Sequence, residues 1–286
     1  MTGGRFTRRA VLAGIGAAAV LPAVPARALS LEKIHATGIL RIAVYRDFEP
    51  WAWYEGTTLR GIDVDLGAAI AQKLGVKAEF RDFLAGDDVD DDLRNMVWKG
   101  PATGGTLSDI MMHAPFDRAF ALRNDRVVIV APYYREGFAL GCSRATVDCE
   151  APPVQFKGHH IAVELNSIPD IYMSGSFGGA LRSDVEHVTS GMAALDAVRA
   201  GKSEVAMATR AQVEHALAKG GETLIARKGP IPALTSPGWD IGLAVKDDSR
   251  DLGDRLDTLI PEMVADKTIP AIFERYGVTL RAPLAS

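Results

Sequence analysis

An acidic run, a short stretch mixing histidine, aspartate and arginine, and one pair of cysteines hold the side chains best suited to chemistry in this chain. Asp87, Asp88, Asp90, Asp91 and Asp92 cluster carboxylates of the kind hard cations such as calcium favour. Asp88, Asp90 and Asp92 alternate as in a calcium-binding loop, but Leu93 stands where that loop needs glycine and Lys99 where it needs its distal glutamate. The run therefore reads as a solvated helix start, where negative charge complements the helix dipole. His113 and Asp117, with Glu49, have the side chains for proton transfer. However, the six histidines show no metal-ligand spacing, and no nucleophile motif of the G-x-S-x-G type occurs. No catalytic residue, metal or cofactor is expected, and the chain does not read as an enzyme. Gly100 to Thr106 is glycine-rich but lacks the Lys-Ser/Thr ending of a phosphate-binding loop, so a plain loop is expected.

The compartment bears on the cysteines. Thr7-Arg8-Arg9-Ala10-Val11-Leu12 is a twin-arginine signature, followed by an apolar stretch to Leu21 and the small-residue site Ala26-Arg27-Ala28. Together they read as a removable export signal over residues 1–28. The apolar run is shorter than the roughly 20 residues a bilayer span needs, and Pro22 and Pro25 interrupt its end. The chain is thus expected in the periplasm and not embedded in the membrane. In an oxidising compartment, Cys142 and Cys149, the only two cysteines, favour one local disulfide. The formal charge is −4, and the signal carries four arginines and no acid, which leaves the remainder near about −8. Such an acidic chain has no basic field for phosphate backbones, so nucleic acid is not an expected partner.

These side chains must be positioned by α/β elements. Gly38 to Val44 alternates like a strand, and Asp47 to Trp51 reads as a loop at its C-terminal end. Leu66, Ala69, Ile70 and Leu74 recur at helical spacing in a helix over 64–74 that Gly75 stops. A strand over 76–80 completes a βαβ unit, which implies parallel pairing. A helix over 91–98 and strands over 109–112 and 126–130 follow. The pattern then restarts: strand 158–163, a helix capped at Asn166-Ser167, strand 185–188, helix 191–200 and strand 203–208. Strand 241–245 and a largely helical 251–276 close the chain.

The order of several segments resembles family 3 of bacterial extracellular solute-binding proteins, the amino-acid-type receptors of ABC importers. They are Gly38-Ile-Leu-Arg-Ile-Ala-Val44, Phe48-Glu-Pro-Trp51, Gly61-Ile-Asp-Val-Asp-Leu66, Ala131-Pro-Tyr-Tyr134, Phe156-Lys-Gly158 with Ile161-Ala-Val163, and Pro261 to Tyr276. The resemblance spans nearly the whole chain after the signal. It implies a type II periplasmic-binding fold: two α/β lobes, two crossovers and a ligand cleft between the lobes. Lobe 1 would hold 29–135 plus 237–286, and lobe 2 136–236.

The resemblance also nominates cleft residues. Phe48 stands where an aromatic covers the ligand, with Trp51 and Trp53 near. Arg123 falls at the place of the carboxylate-binding arginine, with Arg118 as a competitor. His113, Ala114 and Phe116 replace the usual small hydroxyl residues, and Thr209 replaces the aspartate that binds the substrate ammonium. Without that carboxylate a buried ammonium lacks its counter-charge, so an ordinary α-amino acid is a poor ligand. The candidate ligand-facing set is Phe48, Trp51, His113, Asp117, Arg118, Arg123, Ser167 and Thr209. Two functions follow. One is a receptor delivering an unusual small molecule to the membrane subunits of an ABC importer. The alternative is an accessory protein of a periplasmic quinoprotein (methanol) dehydrogenase, acting by protein contact. The stretch Asp109 to Asp117 resembles the family branch that accompanies those enzymes, and Trp51, Trp53 and Tyr54 would supply aromatic anchors.

Overall fold

A computed structural model of the chain describes residues 30–284 except 103 and 237; the export signal expected over 1–28 lies outside the described residues. After α1 (Ser30–Thr37), β1 (Ile39–Tyr45) runs into the core. β2 (Asp47–Phe48), β3 (Ala52–Glu55) and β4 (Thr58–Arg60) form a small antiparallel sheet, so the segment expected as a loop is half hairpin. Short pairings of two or three residues leave too little alternation to be read from sequence.

α2 (Ile62–Lys73) follows and buries Ile62, Leu66 and Ile70. It begins at Gly61, whose φ of +138° already favours glycine; a Cβ there would lie 2.0 Å from the Trp51 carbonyl oxygen. β5 (Lys77–Phe83) pairs parallel with β1, Ile39 opposite Lys77 through Tyr45 opposite Phe83, as the βαβ reading requires. Asp88 then caps α3 (Val89–Leu93) by accepting the Asp91 N–H, which makes the acidic run a helix start. The helix expected over 91–98 changes to a π-helical turn at Arg94–Trp98.

β6 (Ile110–Pro115), α4 (Arg118–Arg123) and β7 (Val127–Glu136) complete the outward path. After Gly137 the chain enters a second sheet with β8 (Phe138–Ser143), β9 (Ile161–Glu164), α5 (Ile168–Gly175), β10 (Val185–Val188), α6 (Gly191–Arg199), β11 (Val205–Thr209), α7 (Arg210–Ala218) and β12 (Leu224–Ala226). It returns through 227–238 to β13 (Trp239–Lys246), and α8 (Arg250–Ala265) and α9 (Thr268–Arg275) cover the first sheet. The first sheet has the order β5-β1-β6-β13-β7, the second β10-β9-β11-β8-β12. This is the two-lobed architecture expected, with one five-stranded sheet per lobe and a crossover in each direction.

Each lobe has its own apolar centre. Leu40, Ile42, Ile70, Leu256 and Phe273 belong to the first; Leu140, Ile161, Val163, Met173 and Met207 to the second. Full burial of each such side chain contributes roughly 1.5–3 kcal/mol. Cys142 and Cys149 form the expected disulfide inside the second centre.

α4 and α7 are not among the helices expected from the sequence. α7 had a readable signal: Thr209 and Gln212 form a reciprocal capping box, the S/T-x-x-E/Q pattern that opens helices. α7 is also where the lobes meet. Ala211 lies in the first lobe's apolar cluster, and Glu214 accepts the Thr279 N–H (2.7 Å) and pairs with Arg281 (2.6 Å).

Candidate functional site

The sheets meet with β2, β9, β11 and the start of α7 facing one another. A cavity of about 460 Å³ lies there, lined from the first lobe by Phe48, Pro115 and Trp239 and from the second by Phe138, Glu164, Ser167, Met207, Thr209 and Gln212, among others. Such a position, beyond the strand ends of open α/β sheets, is where ligands dock. A larger cavity, about 650 Å³, runs along β8, α7 and the 226–238 connection. It is built almost wholly from the second lobe, and two of its three arginines are occupied: Arg227 donates to the Cys149 and Ala151 carbonyls, and Arg281 pairs with Glu214. The smaller cavity is therefore the better site.

The cavity brings together three of the candidate residues, Phe48, Ser167 and Thr209. Phe48 reaches it from the β2–β3 hairpin. Ser167 caps α5: its Oγ accepts the Asp170 N–H and donates to the Glu164 carbonyl (2.6 Å). Thr209 spends its side chain on the capping box, accepting the Gln212 N–H while Gln212 Oε1 accepts the Thr209 N–H.

The other five do not line it. Trp51 is fully buried and packs on Tyr133, Tyr134 and Phe273. His113 sits one layer behind the wall, between the rings of Phe48 (5.0 Å) and Trp51 (4.5 Å). Its φ is +62°, an unusual conformation for a residue with a side chain. Its Nδ1 is 3.2 Å from Asp63 Oδ2, and the buried Asp63 also accepts the Tyr133 hydroxyl at 2.6 Å. Asp117 is the N-cap of α4, accepting the Phe120 N–H, and Arg118 is an exposed first-turn residue. Arg123 Nε lies 3.1 Å from Asp90 Oδ2, and its guanidinium stacks over Phe120.

Lining residues that were not singled out from sequence include Phe138, Glu164, Gln212 and Trp239. Gln212 had the capping-box signal. The others carry no local signature, because strand ends acquire their role only when two sheets are brought face to face. Glu164 ends β9 and accepts the Gly191 N–H at 3.0 Å. Burial raises its pKa, the Gly191 N–H opposes this, and Asp47 across the cleft raises it further.

Beside the cavity a polar latch joins the lobes. Glu49 Oε1 lies 2.9 Å from His215 Nε2 and is paired with Lys219, while Gln212 Nε2 donates to the Glu49 carbonyl. Burial pushes Glu49 up, but hydrogen bonds from His215 and Lys219 outweigh it and hold the carboxyl below its ordinary value. His215 Nδ1 is 2.6 Å from the Tyr276 carbonyl, so both ring nitrogens face oxygen acceptors.

Two five-stranded sheets, paired crossovers and an inter-lobe cavity define the class of fold: a two-lobed α/β architecture of the type II periplasmic-binding kind. Residues 40–95 match the model of bacterial extracellular solute-binding proteins, family 3, which bears out the recognition drawn from the ordered motifs. The fold is that of an ancestral cationic amino acid solute-binding protein (TM-score 0.68, 19% identity, 86% of this chain and 99% of that one). It is also that of an amino acid ABC transporter substrate-binding protein from Streptococcus pneumoniae bound to L-arginine (TM-score 0.63, 20% identity, 88% and 100%). A cysteine-binding protein from Campylobacter jejuni is similar too (TM-score 0.60, 16% identity, 87% and 92%). A search of curated sequences finds no significant match. Among the described residues no helix is long and apolar enough to cross a membrane.

Proposed function

We propose that the protein is a periplasmic solute receptor whose cleft takes a small molecule other than an ordinary α-amino acid, and that it hands this molecule to the membrane subunits of an ABC importer. The carrying observation is the cavity of about 460 Å³ lined from both lobes, mainly apolar, with no lysine or arginine on its wall among the described residues. A bound amino acid needs a cation for its carboxylate and an anion for its ammonium. Arg123, the candidate for the first, faces Asp90, and Thr209, which the resemblance aligns with the second, caps α7. Residues 1–28 as an export signal, lobe 1 as 29–135 plus 237–286 and lobe 2 as 136–236 belong to this reading; the membership of the two sheets supports the division. Similar folds described as amino-acid-binding proteins support the receptor class. One similar ancestral protein is described as a precursor of cyclohexadienyl dehydratase. Among the described residues the cavity wall brings no acid–base pair together, which supports binding over catalysis.

The test is a thermal-shift screen of the purified protein against a metabolite library, with mass spectrometry of anything it retains. A ligand at 100 times its Kd stabilises by roughly 2.7 kcal/mol, and Phe48→Ala should remove that gain. A library with no stabilising member and no retained metabolite would reject the receptor reading.

The accessory reading is favoured by one observation. Leu165, Ile168 and Ile171 expose apolar side chains around the start of α5, beside the cavity mouth, and exposed apolar patches mark contact surfaces. Capture of a periplasmic quinoprotein dehydrogenase by the intact protein, lost in Ile168→Asp, would support it.

A further inference from the structure

The inter-lobe cavity carries a single formal charge. Among the described residues Glu164 is its only ionisable lining residue, and no lysine or arginine lines the wall. Its Oε2 accepts the Gly191 N–H at the start of α6, while Oε1 makes no hydrogen bond among the described residues. Burial and repulsion from Asp47 both work against its negative charge. Asp47 belongs to β2 of the first lobe and Glu164 to β9 of the second. Two carboxylates brought up from opposite lobes resist closure unless a cation lies near them.

The rest of the wall suits the same ligand. Phe48, Phe138 and Trp239 line the cavity from three different strands, the last two with ring centroids 5.0 Å apart. Aromatic faces attract cations, tryptophan most strongly. A ligand carboxylate would meet the opposite conditions: no counter-charge on the wall and repulsion from Glu164. Resting on the receptor reading above, we infer that the cleft takes a monocationic amine with an apolar or aromatic body and no carboxylate, its charge held by Glu164 and its body set between Phe48, Phe138 and Trp239.

Calorimetry of the purified protein with phenethylamine, phenyltrimethylammonium, L-phenylalanine and phenylpropionate tests this. At least one of the two amines should bind at least about tenfold more tightly than either carboxylate. Glu164→Gln keeps an acceptor for the Gly191 N–H and removes a disfavoured charge, so the unliganded protein should have a urea midpoint no lower than the parent's, while amine affinity falls roughly 10- to 100-fold. Failure of both amines to bind, equal or tighter binding of a carboxylate, or an amine affinity unchanged in Glu164→Gln overturns the inference. Tight carboxylate binding that Phe48→Ala abolishes would overturn the cation class and leave the receptor reading standing. Absence of every ligand, including any retained metabolite, removes both.

Discussion

Replacing Glu136 with glutamine should alter stability in a pH-dependent way whose size follows from its surroundings. Glu136 ends β7, the first crossover strand, directly opposite Trp239 of the returning strand β13. It is 1% exposed. Its Oε1 accepts the Gly137 N–H at 2.8 Å and the Ala211 N–H of α7 at 3.4 Å, and Oε2 has no hydrogen-bond partner among the described residues. Burial pushes its pKa from the ordinary 4.5 up to about 7, against the pull of those two N–H groups and of Arg210. Between these two values the folded chain holds a proton that the unfolded chain has released. Stability therefore falls as pH rises through this window: the loss is absent well below 4.5 and complete above about 7, where it amounts to about 3 kcal/mol. Glutamine keeps the Oε1 acceptor and never ionises, but its amide N–H groups meet the place where Oε2 has no partner, at a cost of roughly 1–3 kcal/mol. That cost does not vary with pH. The difference in unfolding free energy, variant minus parent, should therefore rise by about 2–3 kcal/mol between pH 5 and pH 8, whatever its absolute offset. Urea unfolding of both proteins at pH 5, 6, 7 and 8 measures this directly. A difference that stays flat across the series would refute a buried, ionising Glu136 at the crossover.

Two further outcomes are expected. Cys142→Ser with Cys149→Ser opens a loop closed over a sequence separation of 7 and should lower stability by about 2 kcal/mol in urea titrations, matched by the parent protein under reductant. Thr209→Ala should cost about 1 kcal/mol by uncapping α7, whereas Thr209→Asp, an equally good cap, should change stability by less than about 0.5 kcal/mol; equal losses in both would show that the cap is not what Thr209 contributes.

Much of this protein was determined locally. The βαβ start follows from alternation in 39–44 and helical spacing in 66–74, because those periods bury one face only in one kind of element. The disulfide follows from two cysteines seven positions apart, and the acidic run as a helix start from Asp88. Tertiary structure alone decided which side chains share the cavity. Trp51 and Phe48 are three positions apart in the same motif, yet the hairpin over 47–60 sends one into the core and the other to the cavity. Arg123 matched a position in sequence, but α4 carries it to Asp90. Phe138, Glu164 and Trp239 lie at strand ends far apart in the sequence and come together only when two sheets face each other. The physical reason is that burial of a periodic face is a local constraint, while the lining of a cleft is set by long-range packing that no window of sequence contains.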